Sequence, residues 1–396
     1  MLYRPEAFEP LTDEPWDERR VRAAIREIVA DTDAAYGGDE LWPADEWDGW
    51  QAALPMKNLY VGAAGVVWAL DALRRRGHAE TQLDLADAAS RTLAAWRREP
   101  DFVSGYELPS RPQSALLTGE TGILAVAWRL TRSAERADEL LARVRENLGN
   151  EANELMWGVT GTMHAALAMA DWTGEERWRE ACRESADALW VARDPDGLWT
   201  QRLYGVTYRS LGAPHGTAGN AHALLRGGDI LAADRREALT RETNDVLART
   251  ALVEDGLANW PVAEGRGLVG EDGEVRVQWC GGAPGIVIAA ANYLEEELLI
   301  AAAELTWRAG AHGPEKGPCI CHGTAGNGYA LLKAFARTGD ELWLERARRF
   351  AVHALGQVKR RGHARYSLWT GDLGVALFAA DCLDVRNAYP VLDGWD

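Results

Sequence analysis

The sequence predicts an all-α protein, a double-layered seven-fold helical (α/α)7 barrel occupying residues 1–396 as one domain. Three observations predict it. A short phrase with two glycines three apart recurs seven times along the chain. Each copy opens an Ala- and Leu-rich stretch that is apolar nearly all round, as a buried helix is. Between the copies lie charged amphipathic stretches whose polar faces suit solvent.

Taken in order, GAAG (62–65) leads into VVWALDALRRRG, GETG (119–122) into ILAVAWRLTRSAE, and GVTG (158–161) into TMHAALAMADW. GTAG (216–219) precedes NAHALLRGG, and GAPG (282–285) precedes IVIAAANYLEEE. A second GTAG (323–326) opens NGYALLKAFARTG, and GDLG (371–374) opens VALFAADCL. Successive copies start 39 to 66 residues apart, which is room for two helices and their connections. The intervening TQLDLADAASRTLAAWRRE, SAERADELLARVRENL and DELWLERARRFAVHAL supply the outer helices. Strand signals are sparse: EVRVQW (274–279) is the best candidate, either a strand or an extended approach to a site. The glycines themselves read as backbone geometry, permitting left-handed conformation and close helix approach at the mouth of each inner helix.

Apolar residues make up 47% of the 396 and charged residues 26%, enough for a sizeable core. A formal charge of −17 argues against nucleic acid as the main partner, because phosphate binding needs a basic surface. No stretch approaches the roughly 18 uncharged residues of a membrane span. The acidic N-terminal stretch does not resemble a signal peptide, so a cytoplasmic location is expected. Five cysteines, an odd number in a long chain, point to metal or catalysis before a disulfide framework. Cys182 and Cys382 lie on helical patterns and read as packing, as do most of the 18 tryptophans.

Three of the seven turns carry something extra. His215 stands directly before its phrase in GAPHGTAGN, Cys280 two residues before in VQWCGGAPG, and Cys321 and His322 directly before in CICHGTAGNG. With every phrase at the same end of a barrel, these side chains converge on one mouth. Two thiolates and an imidazole are the ligand set of a zinc site with its fourth position open. A helix N-terminus behind them lowers a thiol pKa. The plainer reading is that a buried cysteine is a small hydrophobe. Cys319 is the rival ligand, ranked below Cys321 because Cys321 stands before its phrase much as His215 does before its own.

The motifs WCGGAPG, CHGTAGNG and PHGTAG, set in seven glycine-pair repeats, resemble the LanC family of lanthipeptide cyclases and eukaryotic LanC-like proteins. The resemblance implies zinc bound by Cys280, Cys321 and His322, and addition of a thiol to dehydroalanine or dehydrobutyrine to give a thioether. His215 is then the natural acid for the resulting enolate, since imidazole titrates near neutrality. Arg276 stands where the cyclases have an Arg near the substrate. Glu154 replaces their Asp, and Gly281 stands where they often have Tyr. Lys316, and Arg4 near the N-terminus, match residues with which eukaryotic relatives contact glutathione; both equally fit solvated surface charges.

The leading reading is therefore a thioether-forming enzyme acting on a dehydrated peptide or protein, either a cyclase or a transferase of a small thiol such as glutathione. Glu154, Lys316 and Gly281 favour the transferase. A non-catalytic, zinc-containing peptide-binding or signalling module would need the metal and not His215. A carbohydrate-active toroid would need paired carboxylates at the mouth, and nothing pairs Glu120, Glu154 and Asp372.

Overall fold

The computed structural model describes residues 1–48, 54–102 and 107–395. Among them are fourteen α-helices: α1 (Glu18–Ala34), α2 (Ala63–Arg75), α3 (Leu85–Arg98), α4 (Glu120–Thr131), α5 (Ala134–Glu146), α6 (Val159–Thr173), α7 (Glu176–Val191), α8 (Thr217–Arg226), α9 (Ala233–Thr250), α10 (Ala283–Ala290), α11 (Glu296–Ala309), α12 (Thr324–Thr338), α13 (Glu341–Arg361) and α14 (Asp372–Asp384). They alternate between two layers. The seven even-numbered helices pack side by side in one closed ring, α14 returning to α2. The odd-numbered helices surround them, and α1 closes the outer layer against α13 and α14. The fold is the all-α, seven-fold double barrel that the repeats predict.

Each inner helix is buried through its first turns; in α10 all eight residues are. The outer helices bury one stripe, as α3 does with Leu85, Ala88, Ala89, Thr92, Leu93 and Trp96. Their starts are capped by side chains: Asp17, Asp84, Ser133 and Asp340 accept from first-turn amides of α1, α3, α5 and α13. The residues directly before the inner helices give no side-chain caps. In α2, α8, α12 and α14 first-turn amides bond instead to carbonyls seven residues upstream, as Thr217 and Ala218 do to Ser210 and Leu211 and Thr324 and Ala325 to Gly317 and Pro318. In α10 the Ala283 amide bonds to the Asn259 side chain (2.8 Å). Each loop is thereby folded back over the helix that follows it.

This refines the reading of the glycines. Only Gly282 (φ +92°) among the first glycines of the phrases is left-handed. The second glycine of every phrase is required by close approach. A Cβ there would lie 1.8–2.3 Å from the carbonyl oxygen six residues earlier: Leu59 for Gly65, Ala213 for Gly219, Ile320 for Gly326. Any side chain would push the folded-back loop away.

The strands are short and peripheral. β1 (Phe8–Glu9) pairs antiparallel with β6 (Ala311–His312), β2 (Gln201–Leu203) with β3 (Val206–Tyr208), and β4 (Leu252–Glu254) with β5 (Leu257–Asn259). EVRVQW is not among them. It makes isolated bridges, Val275 to Val269 and Gln278 to Gly281, because its backbone is spent on folding the Cys280 turn. It is the extended approach to a site.

The chain after α14 enters the middle of the barrel. The Asp393 carboxylate meets Lys333 Nζ (2.9 Å) and His222 Nε2 (3.2 Å), and the Trp68 indole donates to the Trp395 carbonyl (3.2 Å). Tyr389 stacks on Trp279 (5.3 Å between centroids) and donates its hydroxyl to the Ile320 carbonyl (2.8 Å). That one side chain thus touches the residues preceding Cys280 and Cys321.

Candidate functional site

Because the loops fold back alike, positions one or two before six of the seven phrases reach the barrel mouth. These positions carry Tyr60, Thr118, Met156, Trp157, Pro214, His215, Cys280, Cys321 and His322, and all of them line one cavity of about 570 Å³. Backbone bonds tie neighbouring turns around it: Tyr60 N–H to the Leu117 carbonyl (2.9 Å), Leu155 N–H to Pro214 (2.8 Å), Cys321 N–H to Trp369 (2.9 Å) and Trp369 N–H to Tyr60 (3.2 Å). Across this last joint the Tyr60 hydroxyl and Cys321 Sγ share a hydrogen bond (2.9 Å).

Cys280, Cys321 and His322 come together here, their ligand atoms all within 4.8 Å of one another. Two sulfurs and a ring nitrogen at that separation fit a metal ion of the kind soft and borderline donors select. His322 Nε2 lies 3.5 Å from Cys321 Sγ, and its Nδ1 is buried without a hydrogen-bond partner among the described residues. Cys280 is the more acidic sulfur: it accepts from the Cys321 thiol, faces His322, and receives Gln278 Nε2 at 2.8 Å. Burial and the Cys280 charge push Cys321 up. Burial works against the His322 imidazolium, but the Cys280 charge and hydrogen bond outweigh it and lift the ring to about 10. A metal ion would take the place of these shared protons.

Cys319 is outside the trio. Its sulfur accepts the His322 N–H (3.4 Å), holding the turn that aims Cys321 and His322. Cys182 and Cys382 are fully buried in α7 and α14, as helical packing requires.

His215 shares the cavity and is partly exposed. Its Nδ1 is 2.8 Å from Glu154 Oε2, and the fully buried Glu154 carboxylate also accepts the amides of Met156 (2.9 Å), Trp157 (2.6 Å) and Gly158 (3.2 Å). Burial opposes the imidazolium, yet the Glu154 hydrogen bond and charge prevail and raise its pKa. Arg276 and Lys316 do not line the cavity. The Arg276 guanidinium pairs with Asp272 and Glu274, and Lys316 Nζ lies 3.4 Å from Glu274 and 3.6 Å from Glu315. The two cations and three carboxylates share one charged cluster behind the Cys280 turn. Arg4 is exposed, just before the short 3-10 turn Pro5–Ala7.

Sequence reasoning missed Tyr60, Gln278 and Trp47, whose ring meets His322 edge-on (5.2 Å between centroids). Tyr60 and Gln278 had a signal available. Tyr60 stands two before its phrase, as Cys280 and Cys321 do, and Gln278 four before, as Glu154 does.

The family model described as lanthionine synthetase C-like protein matches residues 55–393. A zebrafish (Danio rerio) relative called glutathione S-transferase LANCL1 is 26% identical over 308 residues, covering 69% of this chain and 72% of its own. LanC-like protein GCL1 of Arabidopsis thaliana is 30% identical over 131 residues, 29% of this chain and 28% of its own. Among solved structures, nisin cyclase superposes with a TM-score of 0.60 at 15% identity, over 92% of this chain and 93% of its own, a likeness of fold. Seven folded-back turns, the trio at their mouth and the match over residues 55–393 make this chain a member of the lanthionine synthetase C-like family.

Proposed function

We propose that the chain is a zinc-dependent enzyme that adds a thiol to dehydroalanine or dehydrobutyrine residues of a peptide or protein. The observation that carries this is the meeting of a Cys280–Cys321–His322 ligand set and a Glu154-held His215 in one cavity. Cys280, Cys321 and His322 would hold the ion and leave a fourth position toward the cavity. Zinc bound there lowers the pKa of a thiol, so that sulfur attacks as thiolate at neutral pH.

The remaining steps belong to the chain. The new S–C bond forms at the alkene β-carbon, and the π electrons move into an enolate. Glu154 holds His215 through Nδ1, leaving Nε2 to deliver a proton to the α-carbon. The thiol's own proton leaves to solvent and later restores the imidazolium. The apolar side of the cavity, with Trp157, Met156 and Trp279, keeps bulk water from the enolate.

Two versions share this chemistry. The zebrafish relative's name favours an external thiol such as glutathione, whose carboxylates would meet Arg276 and Lys316 near the Cys280 turn by displacing Asp272, Glu274 and Glu315 from them. A cyclase would have less use for them, its nucleophile being tethered to the alkene. The test is metal analysis, then incubation with a dehydroalanine peptide that contains its own Cys, with glutathione present. About one zinc per chain and an intermolecular adduct are expected. Metal retained in a Cys280→Ala, Cys321→Ala double variant, or lost only on Cys319→Ala, overturns the ligand set. In the same assay Lys316→Ala should raise KM for glutathione with zinc content unaltered; exclusive ring formation would establish the cyclase instead.

A further inference from the structure

The cavity has two unlike walls, and in the chemistry proposed above the second does no more than exclude water. On one side stand the three sulfur and nitrogen ligands with Tyr60. Opposite stands an aromatic wall of Trp157, Tyr204, Phe102, Met156 and Leu108. Trp157 occupies the position directly before its phrase, as His215 and His322 do before theirs, so the same loop geometry aims an indole into the mouth.

Tyr204 is built into this wall. It sits at the tip of the β2–β3 hairpin with φ +52°, a left-handed conformation that costs a non-glycine residue about 1 kcal/mol or more. Its hydroxyl accepts the Trp157 indole N–H at 2.8 Å, and the two rings meet edge to face. Even so, 45% of its surface stays open to solvent. An exposed aromatic ring, fixed by a hydrogen bond in a strained turn beside a reactive centre, is organised for a ligand. Among the described residues, no Asp, Glu, Lys or Arg lines the cavity, so those that form this wall offer nothing to a carboxylate. Its volume is that of sites which enclose a sizeable apolar group beside a few polar ones.

We infer that this wall is a subsite for an apolar side chain of the peptide substrate, carried by the residue next to the dehydroamino acid. The inference rests on the proposed function. It divides the substrates by chemistry: the thiol belongs with the Cys280, Cys321 and His322 wall, the apolar flank of the peptide with Tyr204 and Trp157.

The test uses the full chain and two dehydroalanine peptides, flanked on both sides by Leu or by Ser, with glutathione as thiol. The Leu peptide should have the larger kcat/KM by roughly 10–100-fold, the range an apolar pocket discriminates. Tyr204→Asn suits the left-handed turn and should collapse the ratio to within about threefold; Tyr204→Phe, which keeps the ring, should preserve most of it. Equal rates for the two peptides, or a ratio untouched by Tyr204→Asn, would overturn the subsite. Saturated peptides with Ala in place of dehydroalanine, titrated by tryptophan fluorescence, separate the two readings. Preference for the Leu peptide without any thioether product would sink the proposed reaction and leave the subsite standing. Thioether formation with equal binding of both would do the reverse.

Discussion

At the scale of single residues, the Glu154–His215 pair governs how the activity should depend on pH. Glu154 favours the protonated imidazole, so His215 keeps its proton to higher pH than an ordinary histidine. As the acid of the proposed reaction, His215 would be competent below its pKa, and the rate should fall as pH rises through that raised value. Glu154→Gln removes the charge that holds the proton, and should move this alkaline limb to lower pH by about one unit or more. His215→Asn should slow thioether formation by roughly 10²–10⁴-fold while metal and fold persist; unaltered turnover would remove His215 from the mechanism. His215 was legible because it stands directly before a glycine phrase, and Glu154 through the family resemblance, but their bond to each other appears only in the fold. Tyr60 and Gln278 were not recognised. Their contacts with Cys321 and Cys280 arise only once turns more than 200 residues apart are folded to one mouth, or when a loop doubles back on itself.

At the scale of elements, the inner helices depend on glycine for space more than for conformation. Gly326→Ala would set a methyl 2.1 Å from the Ile320 carbonyl, beside Cys321. It should destabilise the protein by about 1–3 kcal/mol and disturb the ligand turn as well. Gly356, inside α13, would place its methyl 3.4 Å from the movable Arg360 guanidinium. Gly356→Ala should therefore stabilise by about 0.5–1 kcal/mol, as expected in a helix interior. Urea unfolding of the two variants checks the contrast, and similar effects of the same sign would refute it. Helices were readable because the 3.6-residue period and the phrases mark them. The six strands were not, because pairs of two or three residues are shorter than any alternation pattern can register.

At the scale of the molecule, seven-fold closure was readable from repetition alone. The contribution of the segment after α14 was not, since its polar residues gain meaning only inside the barrel. Lys333 is nearly buried, and Asp393 answers it. Burial alone would raise the Asp393 carboxyl, but the Lys333 charge and the His222 hydrogen bond hold it well below the usual range. A depressed carboxylate stabilises fully above its unfolded pKa, and that contribution fades only as pH falls towards the depressed value. Asp393→Asn would leave a buried ammonium without its counter-charge, costing about 3–5 kcal/mol at neutral pH. Chemical denaturation compared with wild type measures it, and a loss below about 1 kcal/mol would show the pair to be dispensable.

The joint between the sixth, seventh and first turns has a consequence in time. Cys321 N–H bonds to Trp369, Trp369 N–H bonds to Tyr60, and the Tyr60 hydroxyl returns to Cys321 Sγ. Translation delivers Tyr60 early and Cys321 hundreds of residues later, and Trp369 follows both. A growing chain that has reached residue 322 owns all three candidate ligands and still lacks the brace that sets one of them. The bracing of Cys321 is thus ordered by synthesis: the seventh turn must be made before that sulfur is held in place. Until then the turn that carries Cys321 and His322 waits for its partner from the last repeat.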